Sequence, residues 1–155
     1  MANFTFNISK GRVVEYYNRV KANDPSASAL ILIPLATSGT ETQGQDLDTM
    51  ALVEADANFS EQTGGGWVRK TLTDAQLATF PAANDTDNRY DVALPAVTWT
   101  APTAGSNTTG LLVCYDADTA AGDDTALIPL THHTFAVTAD NNDVVLSVGN
   151  FFQAS

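Results

Sequence analysis

The segment Asp116-Ala117-Asp118-Thr119-Ala120-Ala121-Gly122-Asp123-Asp124 places carboxylates at alternating positions beside a glycine, the raw material of a calcium loop. Set out as an EF-hand from Asp116, it puts Ala120 where an oxygen ligand is needed. It also puts Ala121 where the sharp turn needs glycine and Leu127 where a bidentate glutamate closes the shell. The competing reading is a solvated turn between two strands, since Asp and Gly are turn residues in their own right. His132-His133 offers two imidazoles for zinc, but neighbours on a strand point to opposite faces, and no Cys or His cluster lies elsewhere. Cys114 is the single cysteine, so no intrachain disulfide forms, and its apolar setting in Leu111-Leu112-Val113-Cys114-Tyr115 reads as a small buried hydrophobe. Ser, His and Asp are present without a G-x-S-x-G elbow. Gly64-Gly65-Gly66 leads into Trp67 rather than the Lys-Ser/Thr of a phosphate loop. The expectation is a protein without catalytic, metal or cofactor residues.

The elements that carry these residues are mostly strands. Phe4, Phe6 and Ile8 alternate with polar residues and predict a strand. Ser9 then reads as an N-cap, and Val13, Tyr16, Tyr17 and Val20 recur at helical spacing, which predicts an amphipathic helix from Lys10 to Ala22. Asn23-Asp24-Pro25 ends it. Ala29 to Leu35 is a buried strand with Pro34 at its exit, and Thr37 to Gln45 is loop. Asp46 to Asp56 reads as a second helix, Trp67 to Leu72 as a strand, and Thr73-Asp74 as the cap of a helical turn through Leu77, ended by Pro81. From Tyr90 onward the text is β-like, with strands around Tyr90–Leu94, Val97–Trp99, Leu111–Tyr115, Leu127–Leu130, Phe135–Val137, Val144–Val148 and Phe151-Phe152. Asp140 to Asp143 is a turn of the Asn/Asp type. Together these predict one α+β, mainly β domain over residues 1–155. It is an antiparallel β-sandwich-like body with an N-terminal amphipathic helix and one or two short helices in the middle. Within it, residues 1–22 read as a docking strand and helix, and 23–155 as the β-rich body.

Charge divides the chain in the same place. Residues 1–21 hold Lys10, Arg12, Arg19 and Lys21 against Glu15, whereas the segment after Arg89 has seven aspartates and no Lys or Arg. The net charge of −11 and the scarcity of Lys and Arg exclude nucleic acid as an expected partner. The longest apolar run is too short to span a membrane, and Met1 to Phe6 lacks the basic leader and apolar core of a signal peptide, so a soluble protein made in the cytoplasm is expected. The Phe-rich ends, Phe4, Phe6, Ile8 and Phe151-Phe152, read either as core or as segments that dock on a neighbouring subunit. With Lys10, Arg12 and Arg19 they make up the candidate partner-binding set. Trp67, Tyr90 and Trp99 are the aromatics that would stack on a sugar if the chain were a carbohydrate-binding module, and buried core is the competing reading.

Several phrases also carry a resemblance. Asn3-Phe4-Thr5-Phe6-Asn7-Ile8-Ser9-Lys10-Gly11-Arg12-Val13-Val14-Glu15, Asp85-Thr86-Asp87-Asn88-Arg89-Tyr90-Asp91-Val92, Leu112-Val113-Cys114-Tyr115-Asp116 and Ile128-Pro129-Leu130-Thr131-His132-His133 resemble small acidic virion proteins of tailed bacteriophages, in particular those of actinobacteria. The resemblance implies a virion component, with the major capsid protein or other virion proteins as partners, and brings no catalytic residues with it. A capsid decoration or cement protein fits the charge pattern, because negative charge keeps free copies apart while a basic segment docks, and self-association with sister copies on a lattice goes with that role. A neck or tail component is the alternative, and a virion-borne carbohydrate-binding module a second. If residues 1–12 act as a separable docking arm, their removal leaves a folded body that no longer joins particles.

Overall fold

The computed structural model describes residues 3–80 and 83–154. It is mainly antiparallel β with four short helices among those residues. The central sheet is built on β2 (Ala29–Thr37) and β8 (Thr108–Asp116), which pair antiparallel from Ala29 opposite Asp116 to Leu35 opposite Gly110. β9 (Ile128–Val137) pairs the far side of β8, and the two-residue β1 (Phe4–Thr5) pairs β9 with Phe4 opposite His132. The other edge of β2 takes two short strands in turn, β4 (Lys70–Leu72) and β3 (Ser60–Glu61). Pro34 therefore lies inside β2 rather than at its exit, where that edge changes partner from β4 to β3.

Both faces of the central sheet are covered, so β2 and β8 read as continuous apolar runs instead of alternating. On one face Leu30, Leu32, Leu111, Val113 and Tyr115 meet α1 (Val13–Ala22) together with Val92, Leu94, Val97, Trp67 and Trp99. Trp67 comes from the segment leading into β4, and the other four from a second layer made of β5 (Ala83–Asn84), β6 (Arg89–Leu94), β7 (Val97–Trp99), β10 (Val144–Leu146) and β11 (Gly149–Ala154). In it β11 pairs β6, β6 pairs β5, and β10 pairs β7. The central sheet and this layer of two small sheets, facing each other across a shared core, are the sandwich-like part of the fold. On the opposite face Ile31, Ile33, Leu35, Leu112 and Cys114 meet Phe4, Phe6, Met50, Val53 and Phe59.

The helices follow their local chemistry. In α1 the stripe Val13, Tyr16, Tyr17 and Val20 is buried, and Asn23 closes the helix in the left-handed region at φ 53°. Its start differs from the expected Lys10. Gly11 at φ 79° interrupts the helical path, so residues 7–9 form a separate 3-10 turn. Ser9 is not its cap, because its hydroxyl donates to the Pro129 carbonyl at 2.6 Å. α2 (Glu41–Gly44) occupies a stretch expected to be loop, opened by the Thr40 N–H donating to the Gln43 side chain. α3 (Met50–Ala55) is shorter than expected and starts at Thr49, whose hydroxyl accepts from the Leu52 N–H. α4 (Asp74–Leu77) has the expected Thr73 cap, with the Thr73 N–H donating to Gln76. Pro81, its expected end, lies outside the described residues. The segments expected as Leu127–Leu130 and Phe135–Val137 are one strand, which tolerates Pro129 at a register shift against Val113-Cys114. No helix among the described residues is long and apolar enough to cross a membrane.

Candidate interaction surface

The exposed face of α1 holds the candidate basic residues. Because Val13, Tyr16, Tyr17 and Val20 face inward, positions 12, 15 and 19 must face out, and Arg12 and Arg19 have 48% and 47% of their side chains exposed. Glu15 lies between them, 3.3 Å from the Arg12 guanidinium and 3.0 Å from that of Arg19. The Arg12 hydrogen bond, with help from Arg19, holds the Glu15 carboxyl below its usual range. Arg12 also lies over the Tyr16 ring at 4.6 Å, and Tyr16 stacks on Tyr115 at 4.5 Å. The guanidinium is thus mounted on an aromatic column rooted in β8, which restricts its freedom more than a solvated side chain's. Lys10 is exposed two residues before Arg12, outside the helix. Lys21 is turned inward; it donates to the Phe80 carbonyl and sits over Tyr17.

The other candidate residues divide differently. Phe4 and Phe6 are buried in the second core, with Ile8 packed half-buried against it, so the aromatic N-terminus is core and presents no surface to a partner. The Phe6 N–H donates to the Leu130 carbonyl, and Phe4 stacks on His132. Phe4, Phe6 and Ile8 thus pack into the second core and Val13, Tyr16, Tyr17 and Val20 into the first, so the described part of the N-terminal segment is packed against the body. Phe151 and Phe152 are half-buried on β11 against the first core. Trp67 and Trp99 are buried, and their indole N–H groups donate to the Ser106 and Val68 carbonyls. The Tyr90 hydroxyl donates to Asn18. Neither buried indole offers an open ring face of the kind a sugar platform requires, and Tyr90 is half-buried against the first core.

The acidic loop between β8 and β9 spends its carboxylates locally. Asp116, Asp118 and Asp123 each accept from a backbone N–H two residues on, at 2.8–3.0 Å, which is the chemistry of Asx turns. Asp124 instead joins Arg69, which also grips Glu61 through two nitrogens and Glu54 at 2.9 Å. One half-buried guanidinium thereby ties α3, β3 and the β8–β9 loop to the segment leading into β4. Sequence spacing gives no sign of this knot, since positions 54, 61, 69 and 124 meet only through the β2 edge. Burial, with the nearby Asp124 charge, pushes the Glu54 carboxyl above its usual range.

His132 is fully buried, and His133 lies on the other face of β9 with its imidazole 2.8 Å from the Thr131 hydroxyl, so the two rings diverge as adjacent strand residues must. Burial lowers the His133 pKa. Cys114 is buried, and the same effect pushes its thiol well above the ordinary range, away from nucleophilic chemistry at neutral pH. A cavity of about 200 Å³ opens between β9 and β11, with Leu94, Leu111 and Val113 as its floor and His133, Phe135 and Phe151 on its walls. No protein family, curated protein or solved structure matches the chain.

Proposed function

We propose that the chain is a structural protein of a tailed-bacteriophage virion, a decoration or cement protein that docks on the major-capsid-protein lattice through the outward face of α1. One observation carries this reading: Arg12 and Arg19 flank Glu15 on the exposed side of α1, with Lys10 exposed two residues before Arg12, in a domain whose net charge is −11. The inward face of the same helix is buried in the core, so the cationic ridge is held on a rigid mount rather than on a flexible tail. Like-charged bodies repel in solution, and the ridge steers each copy onto acidic capsid surface. Synthesis in the host cytoplasm followed by residence in the virion is part of the same proposal.

The test is the location and abundance of the chain in whole particles. Density on the head surface and a band intensity matching many copies per particle are expected. A few copies at the neck or along the tail would overturn the decoration reading in favour of a connector or tail component. Reversing charge at Arg12 and Arg19 together should abolish joining to particles while leaving the fold intact, because both side chains lie outside the core. Unchanged assembly would remove the ridge from the proposal. A response on a glycan array would favour a carbohydrate-binding module instead.

A further inference from the structure

Residues 89–99 and 144–154 form one long, kinked antiparallel ribbon, with Val144 opposite Trp99 and Ala154 opposite Tyr90. β10 and β11 stand at the ends of their sheets, so among the described residues no strand pairs the outer edge of this ribbon. Sheet edges are normally guarded by lysine, proline or inward charge. Residues 144–154 contain no charged residue and no proline, and a bulge between Asn150 and Phe152 is the one guard present. The two most exposed large apolar side chains among the described residues are here, Val145 at 56% and Val148 at 60%.

We propose that this edge is a self-association surface, on which a second copy of the chain pairs antiparallel with β10 and β11 about a two-fold axis perpendicular to the strands. The choice of occupant follows from charge. The chain carries −11, so most contacts between copies bring carboxylates together, whereas the outer strand 144–154 set against itself brings only uncharged side chains together. Along the strand the nearest charge is Asp143, and Asp91 on the inner strand β6 is held by Arg89 and Gln153. A parallel arrangement would place the two Asp143 side by side. The antiparallel one sends them to opposite ends of the ribbon, roughly 30 Å apart and beyond the screening length at physiological salt. Main-chain hydrogen bonds supply the attraction, and cover of Val145 and Val148 adds to it.

Sedimentation equilibrium over micromolar to near-millimolar concentrations tests this. The mass should rise from 16.4 kDa toward twice that value with concentration. The double variant Val145→Lys/Val148→Lys should weaken association at least about tenfold, since charge on an edge blocks pairing. Leu52→Lys, at a site 48% exposed on α3, should leave association unchanged. All variants should keep the wild-type circular dichroism spectrum. Hydrogen exchange supplies a second readout, with the amides of 144–154 slowing as wild-type concentration rises. A mass fixed at 16.4 kDa throughout, a double variant that associates as well as wild type, or protection confined to other segments would overturn the proposal. So would protection of the ribbon that appears only when capsid protein is added, which would make the occupant a foreign strand.

Discussion

Phe4 lies stacked on His132, ring centroids 4.9 Å apart and planes within 15° of each other, and this pair joins the start of the chain to the late strand β9. Phe6 packs 5.0 Å from Phe4 in the same core. Replacing either ring removes a large buried apolar group and leaves a cavity. Phe6→Ala should therefore cost about 3–5 kcal/mol in urea or guanidinium unfolding. Deleting residues 1–12 should cost at least as much, and a truncated chain with wild-type stability would contradict the buried placement of both rings.

The same neighbourhood contains a steric limit. A Cβ at Gly110 would lie 2.6 Å from His132 Nε2 and 2.7 Å from Ser38 Oγ, on a central strand that cannot move aside. Gly110→Ala should destabilise by about 1–3 kcal/mol despite the helpful loss of unfolded-state entropy. Thermal denaturation beside Gly149→Ala, where φ is not positive and the added Cβ would meet only the Ser147 carbonyl at 4.0 Å, separates this clash from a general glycine effect.

Arg69 is the single cation facing Glu54, Glu61 and Asp124 in its knot. Arg69→Met should cost about 2–3 kcal/mol, less than a fully buried pair because the knot is partly wet. Glu54 behaves oppositely. Its folded pKa is raised, so the folded state favours its neutral form, and wild-type stability from this group is lost as pH rises through that value. Glu54→Gln should therefore gain a few tenths of a kcal/mol at pH 7 and nothing at pH 4, in chemical unfolding followed at both values.

His133 sets a pH dependence of the other sign. Its folded pKa is depressed by burial, so the unfolded chain binds the proton more readily. Its contribution is fully present above the unfolded value of about 6.5 and falls as pH drops below it toward the folded pKa. Stability measured between pH 5 and 8 should decline on the acid side, and His133→Gln should flatten that decline. An identical slope in the variant would assign the effect elsewhere.

Much of this fold is legible in one dimension where a single periodicity decides the outcome. The stripe Val13, Tyr16, Tyr17, Val20 marks α1, and the unbroken runs of β2 and β8 mark strands buried on both faces. Legibility fails where a contact far along the chain overrides local preference. Ser9 looks like a cap but bonds to Pro129 across 120 residues. Phe4, Phe6 and Ile8 alternate like a strand, yet pairing stops after Thr5 and the chain turns at Asn7. The α1 ridge was visible as charge, whereas the unguarded edge of β10 and β11 emerges only once the strand order is known.

The closure of β1 against β9 also has a consequence for biosynthesis. Between Phe4 and its partner His132 lie more than one hundred residues, which a ribosome adds on the order of ten seconds after Phe4 itself. Until then β1 has no strand to pair with, and Phe4 and Phe6 travel on the nascent chain without their core. β2 waits as well, since β8 is its main partner. Cells that make this protein must tolerate or shelter this greasy segment until β9 is made, and expression yield should respond to chaperone supply more strongly than the stability of the finished domain would suggest.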